Sequence, residues 1–445
     1  MMRKELDATI VSPTLHWKPY PAYKPSGIEW LGEIPSQWQM MRLRFCAKIN
    51  PTKSEVSLLP RDTTVSFIPM EMLSVGGISL EYTKTLEECS SGYTYFRNSD
   101  VITAKITPCF ENRKGAVAEG LENGIGFGTT ELHVLRANPD LNPKFLFYLT
   151  ANHSFREIGT GAMYGAGGQK RVPDDFIRDF RHPTPPLDEQ RAIAAFLDRE
   201  TARIDVLIEK KRRQIELLQE KRTALISHAV TKGLDPNAKM KPSGIEWLGE
   251  IPADWKIQRI KYCAQLIMGQ SPPSDECNED GRGLPFLQGC AEFGSVSPTP
   301  KQFCETPRKT VIASDILISV RAPVGALNIA DQQYGIGRGL CAIRASDPVI
   351  DRRYCWHLLE ALRWQLDIVS SGSTYDAVSA EDVGNIRAII PSILEQRAIA
   401  AFLDRETARI DALIGKIEKS IELLRECRSA LISSAVTGKI DVRDQ

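Results

Sequence analysis

The segment EQRAIAAFLDRETARID at 189–205 decides the fold of this chain, because it recurs without a change at 395–411. A shorter segment, KPSGIEWLGEIP, occurs at 24–35 and again at 241–252. A chain that repeats two blocks in the same order is a tandem duplication. We therefore predict two copies of one structural unit, each of which opens with the shorter block and closes with the longer one.

The segments between the blocks, 36–188 and 253–394, share little identity. Both contain short runs rich in β-forming residues, separated by Gly, Pro and Asn turns, and both contain helical stretches, near 143–151 and 351–368. This mixture predicts an α+β domain in each copy. The two domains are expected to share a fold while their surfaces differ.

The longer block opens a long helix in each copy. Prolines precede the first helix, Gly233 and Gly438 follow the two ends, and about 45 residues of the first copy contain neither Pro nor Gly. Apolar residues alternate at spacings of four and three, which is typical of a coiled-coil seam. The predicted seam comprises Leu197, Ile204, Ile208, Ile215, Leu218, Leu225 and Ala229 in the first helix and Leu403, Ile410, Ile414, Ile417, Ile421, Leu424, Leu431 and Ala435 in the second. The alternative is that each helix packs only on its own domain.

The length of the helices favours antiparallel pairing. A helix of this length spans about 68 Å, and only about ten residues join its end to the second copy, so the second helix must start near the end of the first. We predict a pseudo-two-fold tandem repeat in which two similar α+β domains are joined by a long antiparallel two-helix coiled coil. The predicted boundaries are an N-terminal tail at 1–23, the first domain at 24–186, the first helix at 187–232, a linker at 233–240, the second domain at 241–392, the second helix at 393–437 and a C-terminal tail at 438–445.

Charge and composition restrict the function. The 445 residues carry 56 Lys and Arg against 56 Asp and Glu, so the chain lacks the basic excess that usually accompanies nucleic-acid binding. No signal-like segment or uncharged apolar run of about 18 residues occurs, which predicts a cytoplasmic protein without a membrane span. The ten cysteines form no CxxC pair and are expected to be reduced.

Catalytic motifs are missing from the sequence. There is no Asn/Asp-Pro-Pro-aromatic segment of the kind used by amino methyltransferases, no GxxxxGK[ST] phosphate loop and no HExxH metal motif. Cys46 and Cys263 occupy matching repeat positions, as do Trp38 and Trp255, which predicts packing roles. These absences make ATP hydrolysis within this chain unexpected and give no support to metal catalysis.

The order of these features resembles the specificity subunit of type I restriction-modification systems. The resemblance rests on PPLDEQRAIAAFL at 185–197 and PSILEQRAIAAFL at 391–403, on IPSQW at 34–38 and IPADW at 251–255, and on glycine loops at Gly161 and Gly372. It covers roughly residues 24–438. The second copy departs from the pattern because it reads Pro-Ser-Ile where the first reads Pro-Pro-Leu.

The resemblance implies a non-catalytic DNA-binding subunit. Each domain would be a target-recognition domain that reads one half of a bipartite site in double-stranded DNA, while the coiled coil sets the spacer and docks two modification (methyltransferase) subunits. Restriction (endonuclease/translocase) subunits would join them. S-adenosylmethionine, ATP and Mg²⁺ are then expected in the partner chains, and no cofactor or metal in this one.

Basic, amide and aromatic side chains in glycine-rich or turn segments are the candidate DNA contacts, because Arg and Lys bind guanine edges or phosphates, Gln binds adenine and Tyr stacks. The candidates are Lys105, Arg113, Lys114, Tyr164, Gln169, Lys170 and Arg171 in the first domain and Arg321, Arg338, Ser373, Thr374 and Tyr375 in the second. Two alternatives stay open: a two-headed structural adaptor that binds proteins, which the neutral charge favours, and an unfamiliar type of methyltransferase or nuclease.

Overall fold

The computed structural model describes residues 17–89, 91–166, 168–273, 276–371 and 377–443, and the chain divides into two compact units. Unit 1 comprises Met1–Lys211 together with Glu418–Gln445, and unit 2 comprises Arg212–Ile417. Each unit therefore contains one α+β domain and parts of both long helices. The predicted α+β class is confirmed.

Unit 1 contains two four-stranded sheets and two short strand pairs. The sheet orders are β4-β11-β8-β9 and β6-β5-β10-β7, and the pairs are β1-β2 and β3-β12. The strands are β1 Tyr23–Pro25, β2 Glu33–Pro35, β3 Gln39–Arg42, β4 Ala47–Ile49, β5 Thr64–Ile68, β6 Thr83–Thr85, β7 Thr94–Arg97, β8 Val101–Ala104, β9 Gly115–Val117, β10 Ile125–Gly128, β11 Leu132–Ala137 and β12 Arg181–Thr184. The helices are α1 Leu43–Cys46, α2 Pro143–Ala151, α3 His153–Gly161, α4 Asp174–Asp179 and α5 Leu187–Lys232.

Unit 2 repeats this arrangement with one extra strand. Its sheets run β16-β24-β21-β22 and β17-β19-β18-β23-β20, and its short pairs are β13-β14 and β15-β25. The strands are β13 Met240–Pro242, β14 Glu250–Pro252, β15 Lys256–Arg259, β16 Ala264–Met268, β17 Cys277–Asn278, β18 Leu284–Leu287, β19 Gln302–Cys304, β20 Thr310–Val311, β21 Ile316–Ser319, β22 Leu327–Ile329, β23 Tyr334–Ile336, β24 Leu340–Ala345 and β25 Arg387–Ile390. The helices are α6 Arg352–Leu362, α7 Trp364–Ser371, α8 Ala380–Asn385 and α9 Ile393–Val436.

The hydrophobic pattern of the sequence explains these elements. Strands β8 and β21 are apolar runs whose residues are all buried, as expected for strands in the middle of a covered sheet. Asn142 accepts a hydrogen bond from the Phe145 amide and so caps α2, whose first residue is a proline. In unit 2, the last turns of α5 and the first turns of α9 pack into the same core as Trp255. The long helices are thus anchored by burial at their ends.

The predicted seam faces inward along both helices. Of its fifteen residues, Leu197, Ile204, Ile208, Ala229, Leu403, Ile410, Ile421, Leu431 and Ala435 are buried, and Ile215, Leu218, Leu225, Ile414, Ile417 and Leu424 are half-buried. By contrast Val206, Leu207, Leu217 and Leu413, which lie off the seam, are exposed. The residues of the 4-3 pattern therefore lie on the less exposed side of each helix.

Ion pairs show that the helices run antiparallel. In unit 1 Asp205 of α5 lies 3.0 Å from Arg428 near the end of α9, and in unit 2 Arg222 lies 3.0 Å from Asp411 near the start of α9. Asp205 and Asp411 hold the same position in the repeated helices, and so do the two arginines. One contact therefore occurs once in each unit, and the predicted antiparallel pairing is confirmed.

The shorter repeated block contacts the end of the other copy's helix. In unit 1 the Lys439 ammonium, just beyond α9, donates to the carbonyls of Leu31 (3.1 Å) and Glu33 (2.7 Å). In unit 2 the Lys232 ammonium, at the end of α5, donates to the carbonyls of Leu248 and Glu250. Each unit is therefore assembled from both copies of the sequence repeat.

One buried histidine makes unit 1 sensitive to acid. His182 in β12 is fully buried, and this burial lowers the pKa of its imidazole to about 4, from an ordinary value of about 6.5. Between these values the unfolded chain takes up a proton that the folded chain does not, so stability falls as the pH drops, by about 3 kcal/mol at pH 4.

Replacing His182 with leucine is expected to remove this part of the acid sensitivity. The free energy of unfolding of unit 1 is measured in urea at pH 7 and at pH 5, with hydrogen exchange as the readout. Unit 2 of the same protein is the internal control, because Ala388 of β25 holds the position that matches His182 and does not titrate. An equal loss of stability at pH 5 in the wild type and the His182→Leu variant would show that the histidine is not responsible.

Candidate nucleic-acid interface

In unit 1 a loop and a hairpin bring five predicted DNA-binding residues together. The chain leaves β8 at Ala104, and the next residue, Lys105, accepts through its carbonyl from the Val172 amide at 2.9 Å. The hairpin closes where the backbones of Tyr164 and Arg171 exchange hydrogen bonds of 3.1 and 2.9 Å. A further bond joins the Thr107 amide to the Lys170 carbonyl. The residues brought together are Lys105, Tyr164, Gln169, Lys170 and Arg171.

These five side chains do not have the same surroundings. Tyr164, Gln169 and Lys170 are exposed, whereas the Arg171 guanidinium binds both carboxylate oxygens of Glu131, with distances of 2.8 and 2.9 Å. The hydrogen bonds from Arg171 lower the pKa of the Glu131 carboxyl. Arg171 therefore holds the hairpin in place, Lys105 is half-buried, and Tyr164, Gln169 and Lys170 are presented to solvent.

Unit 2 places basic residues in the corresponding loop. Arg321 is the second residue after β21, where unit 1 has Ile106, and it forms an antiparallel bridge with Ala377 as Ile106 does with Arg171. The loop of Arg338 adjoins it, because the Val320 amide donates to the Gly339 carbonyl at 2.9 Å. Arg321 and Arg338 are both exposed. The remaining candidates, Ser373, Thr374 and Tyr375, lie outside the described residues.

Two other candidates form hydrogen bonds within unit 1. Arg113 donates to the Ser429 hydroxyl of α9 at 3.0 Å, and its pKa is lowered by burial and by the nearby charge of Arg428. The Lys114 ammonium donates to the Met70 carbonyl at 2.9 Å. Both side chains contribute contacts within unit 1, and their DNA-binding role stays a prediction.

The Glu-Gln pair of the longer block joins each domain to its helix, a role that sequence reasoning did not assign. Glu189 accepts from the indole nitrogen of the buried Trp38 at 3.0 Å, and Glu395 accepts from Trp255 at 2.9 Å. The glutamines bind backbone groups before the helix: Gln190 binds Pro185, Asp140 and Asn142, and Gln396 binds Pro391, Val349 and Asp351. The sequence change after Pro391 leaves this junction intact. The exact repetition of the Glu-Gln pair beside the start of both long helices was the sequence signal that could have indicated this junction.

Each domain also has an ion pair with a buried aspartate that the sequence analysis missed. Asp100, before β8, binds Arg136 of β11 through two bonds of 2.7 Å. Asp315, before β21, binds Arg344 of β24 through bonds of 2.8 and 2.6 Å. The pair fixes the strand that precedes the loop of Lys105 in unit 1 and of Arg321 in unit 2. An Asp before the central strand and an Arg on its neighbour are common to both copies.

Cys46 and Cys263, which hold matching positions in the repeat, are buried. Burial raises the pKa of the Cys46 and Cys263 thiols, which makes them poor nucleophiles and fits packing roles. Within the described ranges, no group of three or more His, Cys, Asp or Glu side chains is arranged to hold a metal ion. Across that same part of the chain, no helix is both long and apolar enough to cross a bilayer.

Comparison with known proteins identifies the family. The sequence model described as the type I restriction modification DNA specificity domain matches twice, at residues 35–217 and 252–423. The chain belongs to this family. It is a DNA sequence-specificity subunit built from two target-recognition domains, and these matches give no support to an adaptor that binds proteins alone.

Two relatives and two solved structures are similar to this chain, and three of the four cover more than nine tenths of it. The putative type I restriction enzyme MjaX specificity subunit of Methanocaldococcus jannaschii is 31% identical over 426 residues, which are 93% of this chain and 96% of the relative. The EcoAI specificity subunit of Escherichia coli is 42% identical over 165 residues, 36% of this chain and 27% of the relative. The HsdS subunit from Thermoanaerobacter tengcongensis, at 27% identity, has a TM-score of 0.56 and covers 92% of this chain and 98% of its own. A chain from work on the assembly and conformational transition of the type I R-M system has a TM-score of 0.77 at 27% identity, with coverage of 91% and 98%.

Proposed function

We propose that each unit of this specificity subunit reads one half of a bipartite site in double-stranded DNA. The recognition surface consists of Lys105, Tyr164, Gln169 and Lys170 in unit 1 and of Arg321 and Arg338 in unit 2. One observation carries the proposal: β8 and β21 hold the same place in the corresponding sheets of the two units, yet the loops that follow them present different side chains. A common scaffold with different loops is what two half-sites of different sequence require.

The neutral charge of the domains fits a subunit that works in a complex. Residues 36–186 carry 17 basic and 16 acidic side chains, and residues 253–393 carry 14 and 16. Phosphate binding then depends on a few local contacts and on surfaces supplied by partner chains. We expect the isolated chain to bind DNA weakly, with strong salt sensitivity, and to discriminate between sequences better once assembled.

The long helices are proposed to dock two modification subunits. Leu207 and Leu413 occupy the same position in the two helices, off the seam, and are 40% and 43% exposed. An apolar side chain repeated on the outer face of both helices suits a partner present twice. Adenine methylation with S-adenosylmethionine, and ATP- and Mg²⁺-dependent cleavage by restriction subunits, would belong to these partner chains. The complex would act in the cytoplasm, where its DNA lies.

The spacing role of the helices is tested by lengthening them. Seven residues inserted after Lys210 and seven after Lys416 preserve the seam and add about 10 Å, which corresponds to about three base pairs. Methylation mapping of sites with varied spacers is expected to show a preference longer by about three base pairs. The control is a seven-residue insertion in the linker at 233–240, which should leave the preference unchanged. If the lengthened helices also left it unchanged, the spacing role would be wrong.

Substitutions of different residues in the recognition surface are expected to change DNA affinity in one case and sequence specificity in the other. A Lys170→Ala variant should bind all DNA sequences more weakly and lower the slope of log affinity against log salt by about 1, because a phosphate contact releases one counterion. A Gln169→Ala variant should instead change the preferred half-site. Fluorescence anisotropy titrations of the assembled complex at several salt concentrations measure both effects. The matched control is Lys48→Ala on β4, and a change of slope in this control would contradict the assignment.

A further inference from the structure

A groove of about 420 Å³ lies beside the shorter repeated block in unit 1. Trp30 stacks on Phe180, with ring centroids 6.1 Å apart, and still has 38% of its surface exposed. Ile158 of α3 and Phe176 of α4 complete the apolar wall. We call Trp30, Ile158, Phe176 and Phe180 the aromatic patch of unit 1. A half-exposed tryptophan in an apolar groove is typical of an interaction surface.

Unit 2 has an equivalent patch made from different residues. Trp247 holds the position of Trp30 in the identical peptide, is 41% exposed and packs edge-on against Trp364 of α7 at 4.8 Å. Ile368, which is largely exposed, lies one helical turn after Trp364 and so on the same face of α7. We call Trp247, Trp364 and Ile368 the aromatic patch of unit 2. Helices α3 and α7 share little sequence, yet both place exposed apolar side chains in this region.

The charge around the patches favours a protein partner over DNA. Asp179 and Arg181 line the groove of unit 1 together, and Glu29 is exposed beside Trp30. In unit 2 the exposed neighbours in the same elements include Glu246 and Arg387. A polyanion requires a basic surface, whereas a mixed rim around an apolar centre is the usual composition of a protein interface.

The duplication restricts the choice of partner further. Because an equivalent patch occurs once in each unit, its occupant must be available in two copies. The N-terminal segment at 1–16 occurs once in the chain and therefore cannot cover both patches. Of the partners in the proposed function, the modification subunit is the protein required in two copies.

We propose that each aromatic patch docks one modification subunit, which buries Trp30 on unit 1 and Trp247 on unit 2. This inference rests on the proposed function and adds a second contact to the one assigned to the long helices. The complementary surface is expected to insert an apolar side chain between the tryptophan and the neighbouring helix, with charged side chains at the rim. Each recognition domain would then be held directly by the subunit that modifies its half-site.

The test uses the full chain and the modification subunit of the same system. Native mass spectrometry and binding titrations should show two modification subunits on the wild type. Trp30→Ala and Trp247→Ala should each weaken one of the two sites by at least tenfold, and the double variant should weaken both. Ile158→Arg places a charged side chain in the groove of unit 1 and leaves the stacking of Trp30 on Phe180 in place. It should weaken the same site as Trp30→Ala. Leu58→Ala, at an almost fully exposed position elsewhere on unit 1, is the matched control.

The outcomes separate this inference from the proposed function. If the wild type itself binds no modification subunit, the docking part of the proposed function is wrong. If the wild type binds two and the tryptophan and Ile158→Arg variants bind two with unchanged affinity, only the patch inference is overturned. It is also overturned if the variants keep their modification subunits but lose DNA affinity, because the patches would then contact DNA. Unchanged circular dichroism spectra and thermal midpoints show that the variants are folded.

Discussion

Replacing Trp38 with alanine is expected to lower the free energy of unfolding of unit 1 by about 3–5 kcal/mol. The Trp38 side chain is fully buried, and its loss leaves a large cavity next to Gly438, where a side-chain carbon in place of the glycine hydrogen would lie only 3.1 Å from the indole. It also leaves the buried carboxylate of Glu189 without its indole donor. Because this contact joins the domain to the first turn of α5, the start of the long helix should loosen as well.

Hydrogen exchange measured by mass spectrometry localises this effect. Loss of protection is expected in 187–211 and 418–443, while unit 2 keeps its protection. Trp38→Phe preserves part of the ring packing and should cost clearly less than alanine. Trp255→Ala is the matched variant, since Trp255 makes the same bond to Glu395, and it should loosen unit 2 instead. A loss below about 1 kcal/mol in both alanine variants would show that the junction does not stabilise the units.

Replacing Asp100 with alanine is expected to cost about 3 kcal/mol in the stability of unit 1. The Asp100 carboxylate is almost fully buried and binds Arg136 at two atoms. Removing it leaves a largely buried guanidinium with Glu55 as its remaining carboxylate partner in the described structure. Asp100 also accepts a bond from the Arg97 amide, so the turn before β8 is weakened. Because β8 leads into Lys105, DNA affinity should fall together with stability.

A double-mutant cycle in urea isolates the ion pair from the loss of packing. Asp100→Ala combined with Arg136→Met should cost less than the sum of the single variants, because no unpaired charge stays buried. Glu55→Ala removes a more exposed partner of the same arginine and should cost about 1 kcal/mol or less. Asp315→Ala should produce the corresponding loss in unit 2, where Arg344 is the partner. Strict additivity of the Asp100 and Arg136 variants would contradict the assigned coupling.

The candidate DNA contacts show which properties of a side chain a sequence pattern can predict and which it cannot. Glycine-rich and turn segments were used to select the candidates, and among these Tyr164, Gln169 and Lys170 are exposed. The same pattern selected Arg113 and Arg171, whose guanidinium groups bind Ser429 and Glu131. Ser429 is more than three hundred positions from Arg113 in the chain. The partner of a long flexible side chain depends on which distant segments the fold brings near, and no local pattern contains that information.

By itself the sequence determined the duplication, the α+β class of both domains and the seam of the long helices. These properties follow from exact repetition and from the 4-3 spacing of apolar residues, which reflects the geometry of a helix along the chain. Only the tertiary structure decided that Glu189 and Glu395 bind the buried tryptophans and that the buried carboxylates of Asp100 and Asp315 pair with arginines. It also decided that Trp30 and Trp247 pack against aromatic rings while staying partly exposed. Such pairings depend on burial and on contacts between residues far apart in the chain, and these arise only when the whole unit has folded.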